Sequence, residues 1–142
     1  MKKWFLILPM FLLMACNRNE PQPIKLNVDA CDFCKMTISN ARFSAELITQ
    51  KGRCYKFDDL ACMIQFAQSN TVVPYRAFYV NDYLKQNHLM TVEKAYFIKG
   101  GSINSPMRGN FAAFADQANQ KKYAQQYQAE LLNWSAAYKS YQ

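Results

Sequence analysis

The chain has 142 residues, 51% of them hydrophobic and 19% charged, and carries a formal net charge of +7; this size and balance fit one compact domain and exclude a disordered chain or a multidomain enzyme. Five Cys and seven Met stand against a single His, so a metal site here is sulfur-rich rather than histidine-rich. There is no Gly-rich phosphate loop, GxSxG elbow or HExxH helix, and a nucleophile-plus-His arrangement would rest on His88 alone, which reads as a surface residue in the polar run Gln86-Asn87-His88.

The first element is a targeting signal. Met1-Lys2-Lys3 is a short positive end, Trp4 to Met14 is an apolar run too short to span a membrane, and Leu13-Met14-Ala15-Cys16 places a small residue before a cysteine. These four residues look like a bacterial lipobox, in which residues 1–15 are removed as a lipoprotein signal peptide and Cys16 is acylated. An ordinary secretory signal with an incidental Cys16 is the alternative, and both place the mature domain outside the cytoplasm. The expected location is the cell envelope, lipid-anchored to a bacterial membrane and facing the periplasm. Residues 16–23, with Pro21 and Pro23, form a polar tether, and the folded domain covers residues 24–142. Loss of Lys2 and Lys3 lowers the charge from +7 to about +5, and the remaining basic residues are scattered, so nucleic acid is not an expected partner.

After a Cys-x-x-Cys loop at Cys31 to Cys34, Arg42 to Thr49 reads as a strand with Phe43, Ala45 and Leu47 on one face. Gln50-Lys51-Gly52-Arg53 turns it into a second strand through Cys54, Tyr55 and Phe57. Asp58 or Asp59 then caps a helix, in which Leu60, Met63, Ile64 and Ala67 keep helical spacing up to Ser69-Asn70. A second region repeats this pattern: Tyr75 to Val80 and Ala95 to Lys99 as strands, a loop from Gly100 to Gly109, and a helix begun by Asn110. The tail from Tyr123 to Tyr141 reads as one helix, with Tyr127, Leu131, Trp134 and Tyr138 as its packing stripe.

The chemistry concentrates in Cys31-Asp32-Phe33-Cys34-Lys35-Met36. Two sulfurs at this spacing suit a disulfide, half a zinc site or a soft-metal site. Met36, Cys62-Met63 and Pro106-Met107 tilt the reading toward Cu(I), because a thioether binds zinc poorly and cuprous copper well.

The lipobox, the Cys-x-x-Cys-x-Met loop, the segment Tyr55-Lys56-Phe57-Asp58-Asp59-Leu60-Ala61-Cys62-Met63, the strand end Tyr79-Val80-Asn81-Asp82 and Ser105-Pro106-Met107-Arg108-Gly109 followed by Phe111-Ala112-Ala113-Phe114 together resemble the NosL family. The resemblance runs over almost the whole mature length. It implies an α+β fold of two ββα-type repeats, similar to the organomercurial lyase, here with a C-terminal helix. It also implies a non-enzymatic Cu(I) metallochaperone that serves assembly of the copper-sulfide centre of nitrous oxide reductase together with a membrane ABC-type transporter complex. Carried over residue by residue, the metal ligands are Cys31, Cys34, Met36, Met63 and Met107, with Cys34 and Met107 foremost. Two departures stand out: Lys35 replaces a common glycine, and Cys62 precedes Met63 where many members have no cysteine, which leaves open a disulfide or an additional ligand. Asp58 and Asp59 either cap the helix or hydrogen-bond around the site.

Two further readings compete with the chaperone. One is a thiol-disulfide redox protein using Cys31 and Cys34, against which the motif precedes a strand rather than opening a helix. The other is a structural lipoprotein stapled by zinc or by disulfides among Cys31, Cys34, Cys54 and Cys62.

Overall fold

A computed structural model describes residues 20–141. The signal peptide, Cys16 and the first part of the tether lie outside the described residues.

Strands β1 (Ala45–Thr49) and β2 (Cys54–Phe57) form the expected hairpin, with Ala45 opposite Phe57 and Ile48 opposite Cys54. Gly52 makes the turn at φ 80. Helix α1 (Leu60–Ser69) follows at once and buries Leu60, Met63, Ile64 and Ala67 against the sheet. The first strand starts three residues later than its alternation suggests, because the Asn40 side chain accepts from the Arg42 N–H and caps a 3₁₀ turn at Ala41–Phe43.

β1 is also buried on both faces, where the sequence pattern exposes one. The reason is topological. Strand β3 (Tyr75–Asn81) pairs antiparallel with β1, and β4 (Leu89–Thr91) adds beyond it, giving the order β2-β1-β3-β4 with β1 inside. The second face of β1 carries Glu46, which is wholly buried and accepts the Gln22 N–H at 2.7 Å from the incoming N-terminal segment.

The second sheet corrects the sequence reading in three places. The Tyr75 strand belongs to the first sheet, so the second ββα unit consists of β5 (Tyr96–Lys99), β6 (Phe111–Phe114) and helix α2 (Gln117–Tyr127). Asn110 begins a strand and not a helix: Phe111-Ala112-Ala113-Phe114 is apolar on both faces and all four residues are buried, a pattern whose period does not separate strand from helix. The helix is capped two residues after that strand ends, where the Asp116 carboxylate accepts the Asn119 N–H at 2.8 Å. Finally, the tail is not one helix. Gln128 adopts a left-handed conformation at φ 54, ends α2 and turns the chain into β7 (Glu130–Leu132), which pairs with β5 before the short helix α3 (Trp134–Lys139). The stripe is therefore divided. Leu131 is half exposed on β7, whereas Trp134 and Tyr138 pack their rings on Phe78 of the first sheet.

The α+β class with two ββα units thus holds, with different strands in the second unit. One core joins the two units, running from Leu47, Phe57, Met63 and Ile64 to Phe97 and Phe111. A smaller cluster around Ile98, Ile103 and Phe114 lies under α2. Among the described residues, no helix is long and apolar enough to cross a membrane.

Gln120 ties α2 to this second sheet, since its buried side-chain amide donates to the Phe97 and Leu132 carbonyls at 2.7 and 3.2 Å. Gln120→Ala leaves those acceptors without the amide and is expected to lower stability by about 1–3 kcal/mol, read as an earlier denaturant midpoint.

Candidate metal centre

The Cys-x-x-Cys segment is a strapped loop. An isolated bridge between Ala30 and Thr37 closes it, the Cys31 N–H donates to Met36 O at 2.8 Å, and the Lys35 N–H donates to Cys31 O at 3.0 Å. Asp32 then pins the loop to the edge of β2: its N–H donates to Lys56 O and its carboxylate accepts the Lys56 N–H, both at 2.8 Å. The turn requires a left-handed residue at position 35. Lys35 fills it at φ 66, and its Nζ donates back to Asp32 O at 2.6 Å.

The strand-to-helix junction supplies the other half. Asp58 and Asp59 divide the two roles that their sequence positions allow. Asp59 is the cap: its Oδ1 accepts the Ala61 N–H at 2.9 Å. Its Oδ2 accepts the Ser105 hydroxyl at 2.5 Å and the Met107 N–H at 3.0 Å, which holds the loop between β5 and β6 against the start of α1. Gly109 permits that approach, because a Cβ there would lie 2.4 Å from Ala61 Cβ and 2.7 Å from Asp59 Oδ1. Asp58 faces the other way, and its Oδ1 accepts the Cys34 thiol at 3.5 Å.

Four donors meet there. The sulfurs of Cys31, Cys34 and Cys62 and a carboxylate oxygen of Asp58 all lie within 4.8 Å of one another. Cys31, Cys62 and Asp58 are buried, and Cys34 reaches the surface. Of the residues expected at the site, Cys31 and Cys34 thus converge, and Cys62 joins them as a full member. Met36 and Met107 sit on the two adjoining loops, 56% and 39% exposed. Met63 has no exposed surface and packs in the main core. Asp58 is the donor that sequence reading did not single out as a ligand; its signal was its position four residues before Cys62, across the helix cap.

All four cysteines beyond residue 20 are free thiols. Cys54 lies outside the cluster and faces Glu46, with burial pushing its thiol pKa up, so the stapled reading in which Cys54 and Cys62 complete one site is not what this geometry builds.

The cluster polarises its thiols. The Cys62 thiol donates to Cys31, and the backbone N–H groups of Asp58, Cys34 and Phe33 add to it, which lowers Cys31 to about 6 against the opposing cost of burial. Burial instead raises Cys34 to about 11. Cys62 is raised because it serves as the donor to Cys31. A thiol whose charged form is favoured by its neighbours is suited to a soft cation, since metal binding needs deprotonated sulfur.

A family model described as NosL matches residues 23–141. No curated relative matches the chain. Among solved structures, the chain shares its fold with the copper chaperone NosL from Shewanella denitrificans, at a TM-score of 0.73 and 21% identity, covering 82% of this chain and 93% of that one.

Two predictions follow from the loop and its thiols. A left-handed lysine costs roughly 1–2 kcal/mol, more than the flexibility that glycine adds to the unfolded chain, so Lys35→Gly is expected to raise stability by up to about 1 kcal/mol in equilibrium unfolding. A comparable loss would contradict strain at that turn. For pH, the lowered Cys31 group stabilises the fold fully above the unfolded thiol value of about 8.5, and that contribution is lost as pH falls through about 6. Above about 8.5 the raised Cys34 and Cys62 thiols work in the opposite direction. The denaturation midpoint of the reduced protein should therefore climb between about pH 6 and pH 8, and Cys31→Ser should flatten that climb.

Proposed function

The chain belongs to the NosL family, and on that premise we propose that it carries Cu(I) outside the cytoplasm and hands it to a partner without catalysing a reaction. The observation that supports this reading is the convergence of three thiols beneath two loops that each present an exposed methionine. Thiolate and thioether sulfur together favour cuprous copper over the harder divalent ions. Cys34 and Met107 are the principal ligands, with Met36 and Cys31 completing a site of low coordination; Met63 serves as packing.

Exposure matters as much as ligand type. Cys34 and the two loop methionines lie where a partner's sulfur or nitrogen donors can reach the ion, so copper leaves by stepwise ligand exchange rather than by unfolding. The rigid elements behind them, β2 and the start of α1, keep the sulfurs gathered while the ligands change. The destination is the copper-sulfide centre of nitrous oxide reductase, reached in concert with a membrane ABC-type transporter complex. Acylated Cys16 holds the domain at the bacterial membrane on its periplasmic side.

Titration of the reduced protein with Cu(I) against a cuprous chelator tests the reading. Tight uptake of one equivalent is expected, lost in Cys34→Ser and weakened at least about tenfold in Met107→Leu, because removing a ligand should cost no less than removing a group that merely orients one. Full affinity in Cys34→Ser would overturn the ligand assignment, and no uptake by the reduced protein would overturn the function.

A further inference from the structure

Residues 21–23 lie as a strap over the first sheet. The strand registers put Lys56, Glu46, Tyr79 and Thr91 in one row across β2, β1, β3 and β4, with Leu89 on the same face of β4. The strap crosses that row: the Pro23 carbonyl accepts Lys56 Nζ at 2.9 Å, the Gln22 N–H donates to the wholly buried Glu46 at 2.7 Å, and Pro21 and Pro23 line one groove with Asn87, His88 and Leu89. The segment that leads back to Cys16 therefore leaves the domain on its β4 side, beside the loop of residues 82–88. That loop is closed by the Asp82 N–H, which donates to His88 O at 3.0 Å, and is held from within by the Tyr83 ring, packed on Phe43, Phe114 and Tyr123. Its tip turns Leu84, 42% exposed, and Lys85 to solvent. Two more exposed cations stand around Tyr83, with Arg42 5.3 Å from its ring centre and Lys122 5.5 Å from the ring centre of neighbouring Tyr123. Of the acidic groups here, Asp82 is buried and accepts the Leu84 N–H at 3.0 Å, and Asp116, near Lys85, is engaged by the Asn119 N–H and side-chain amide at 2.8 and 2.7 Å.

From this arrangement we infer that Leu84 and Lys85, with Arg42 and Lys122, form a contact face for an anionic phospholipid bilayer, and that this contact orients the anchored domain with its metal centre turned away from the lipid. The inference rests on the acylation of Cys16 proposed above.

Chain length sets the reach. The stretch from Cys16 to Gln22 spans at most about 20 Å when fully extended, so an acylated Cys16 keeps the β4 side and its loop within that distance of the bilayer. At such range a modest contact is enough, because the tether makes it intramolecular and raises the effective concentration to roughly millimolar. Each Lys or Arg near an anionic surface strengthens attachment about fivefold. Leu84 adds an apolar side chain beside those cations, and this pairing favours the boundary between headgroups and acyl chains. The strap decides the direction. Its bond to buried Glu46 fixes Gln22 to the sheet, so the domain can swing only about the residues that precede it. The Cys-x-x-Cys loop is pinned to β2, at the far edge of the same sheet and three strand spacings, about 14 Å, from β4. With the β4 side on the lipid, Cys34 and Met36 stand on the side that a copper partner can reach.

Lysine footprinting of the full acylated protein on vesicles of phosphatidylglycerol and phosphatidylcholine tests the inference, with the mass of the processed chain and vesicle flotation reporting the anchor by itself. Lys85 and Lys122 are expected to lose most of their reactivity on the vesicles relative to detergent solution, while Lys35 on the metal loop keeps its own. In a Leu84→Trp protein, quenching by brominated lipid beyond that of Trp134 in the unaltered protein should report the loop directly. Adding Lys85→Ser or Lys122→Ser to that protein should weaken the contact about fivefold each, and raised salt should weaken it further. Cu(I) uptake should be unchanged in these variants. Equal reactivity of Lys85, Lys122 and Lys35 in protein that floats with the vesicles would overturn the contact face and leave the anchor standing. Protein that neither carries the acyl mass nor floats would overturn the anchor and, with it, the contact face. Protection that rises with the density of protein on the vesicle would assign the face to a second copy of the chain and overturn the lipid contact.

Discussion

The buried carboxylate of Asp59 is the joint on which the arrangement depends. One oxygen caps α1 through the Ala61 N–H, and the other receives the Ser105 hydroxyl and the Met107 N–H from a loop belonging to the other ββα unit. A buried carboxylate is costly unless such donors satisfy it, so the same requirement that starts the helix also recruits the distant loop. Through that bond the backbone of Met107 is fixed beside the start of α1. Gly109 completes the joint by leaving room for backbone to lie against Ala61.

The two units show why the site occurs once. Each ends its second strand on phenylalanine and caps its helix two residues later: Phe57-Asp58-Asp59 in the first, Phe114-Ala115-Asp116 in the second. The caps correspond, but Ala115 stands where Asp58 contributes a donor, and the first turn of α2 has no cysteine where α1 has Cys62. The second unit has instead lengthened the connection between its strands, and that connection closes over the first unit's helix start. One repeat thus contributes Asp58 and Cys62 to the cluster, and the other lays a loop with an exposed thioether against the same helix start.

Burial sorts the sulfur atoms by use. Methionine and cysteine pack well in apolar cores, and Met63 lies wholly within one. Cys31 and Cys62 are equally buried but lie in a polar cluster, where the Cys62 thiol and backbone N–H groups favour the charged form of Cys31 against the cost of burial. Cys34, Met36 and Met107 continue the series to the surface.

The sequence alone was enough to determine the β1-β2 hairpin, the capped helix after it, the α+β class and the Cys31/Cys34 loop with its neighbouring methionines. Each of these rests on local signals: alternation, a glycine turn, an aspartate cap and close cysteine spacing. Two elements escaped for a shared reason. Phe111–Phe114 is apolar on both faces, and the tail's helical stripe survives a left-handed break at Gln128, so local periodicity could not separate strand from helix in either place. Only the tertiary structure decided that β3 joins the first sheet, that Glu46 lies buried beneath the N-terminal segment, and that Asp58 and Cys62 face Cys31 and Cys34. Those facts depend on contacts between residues more than twenty positions apart. Long-range pairing and the direction of a side chain at a helix cap leave no periodic trace in the chain, so they take shape only when the two units pack.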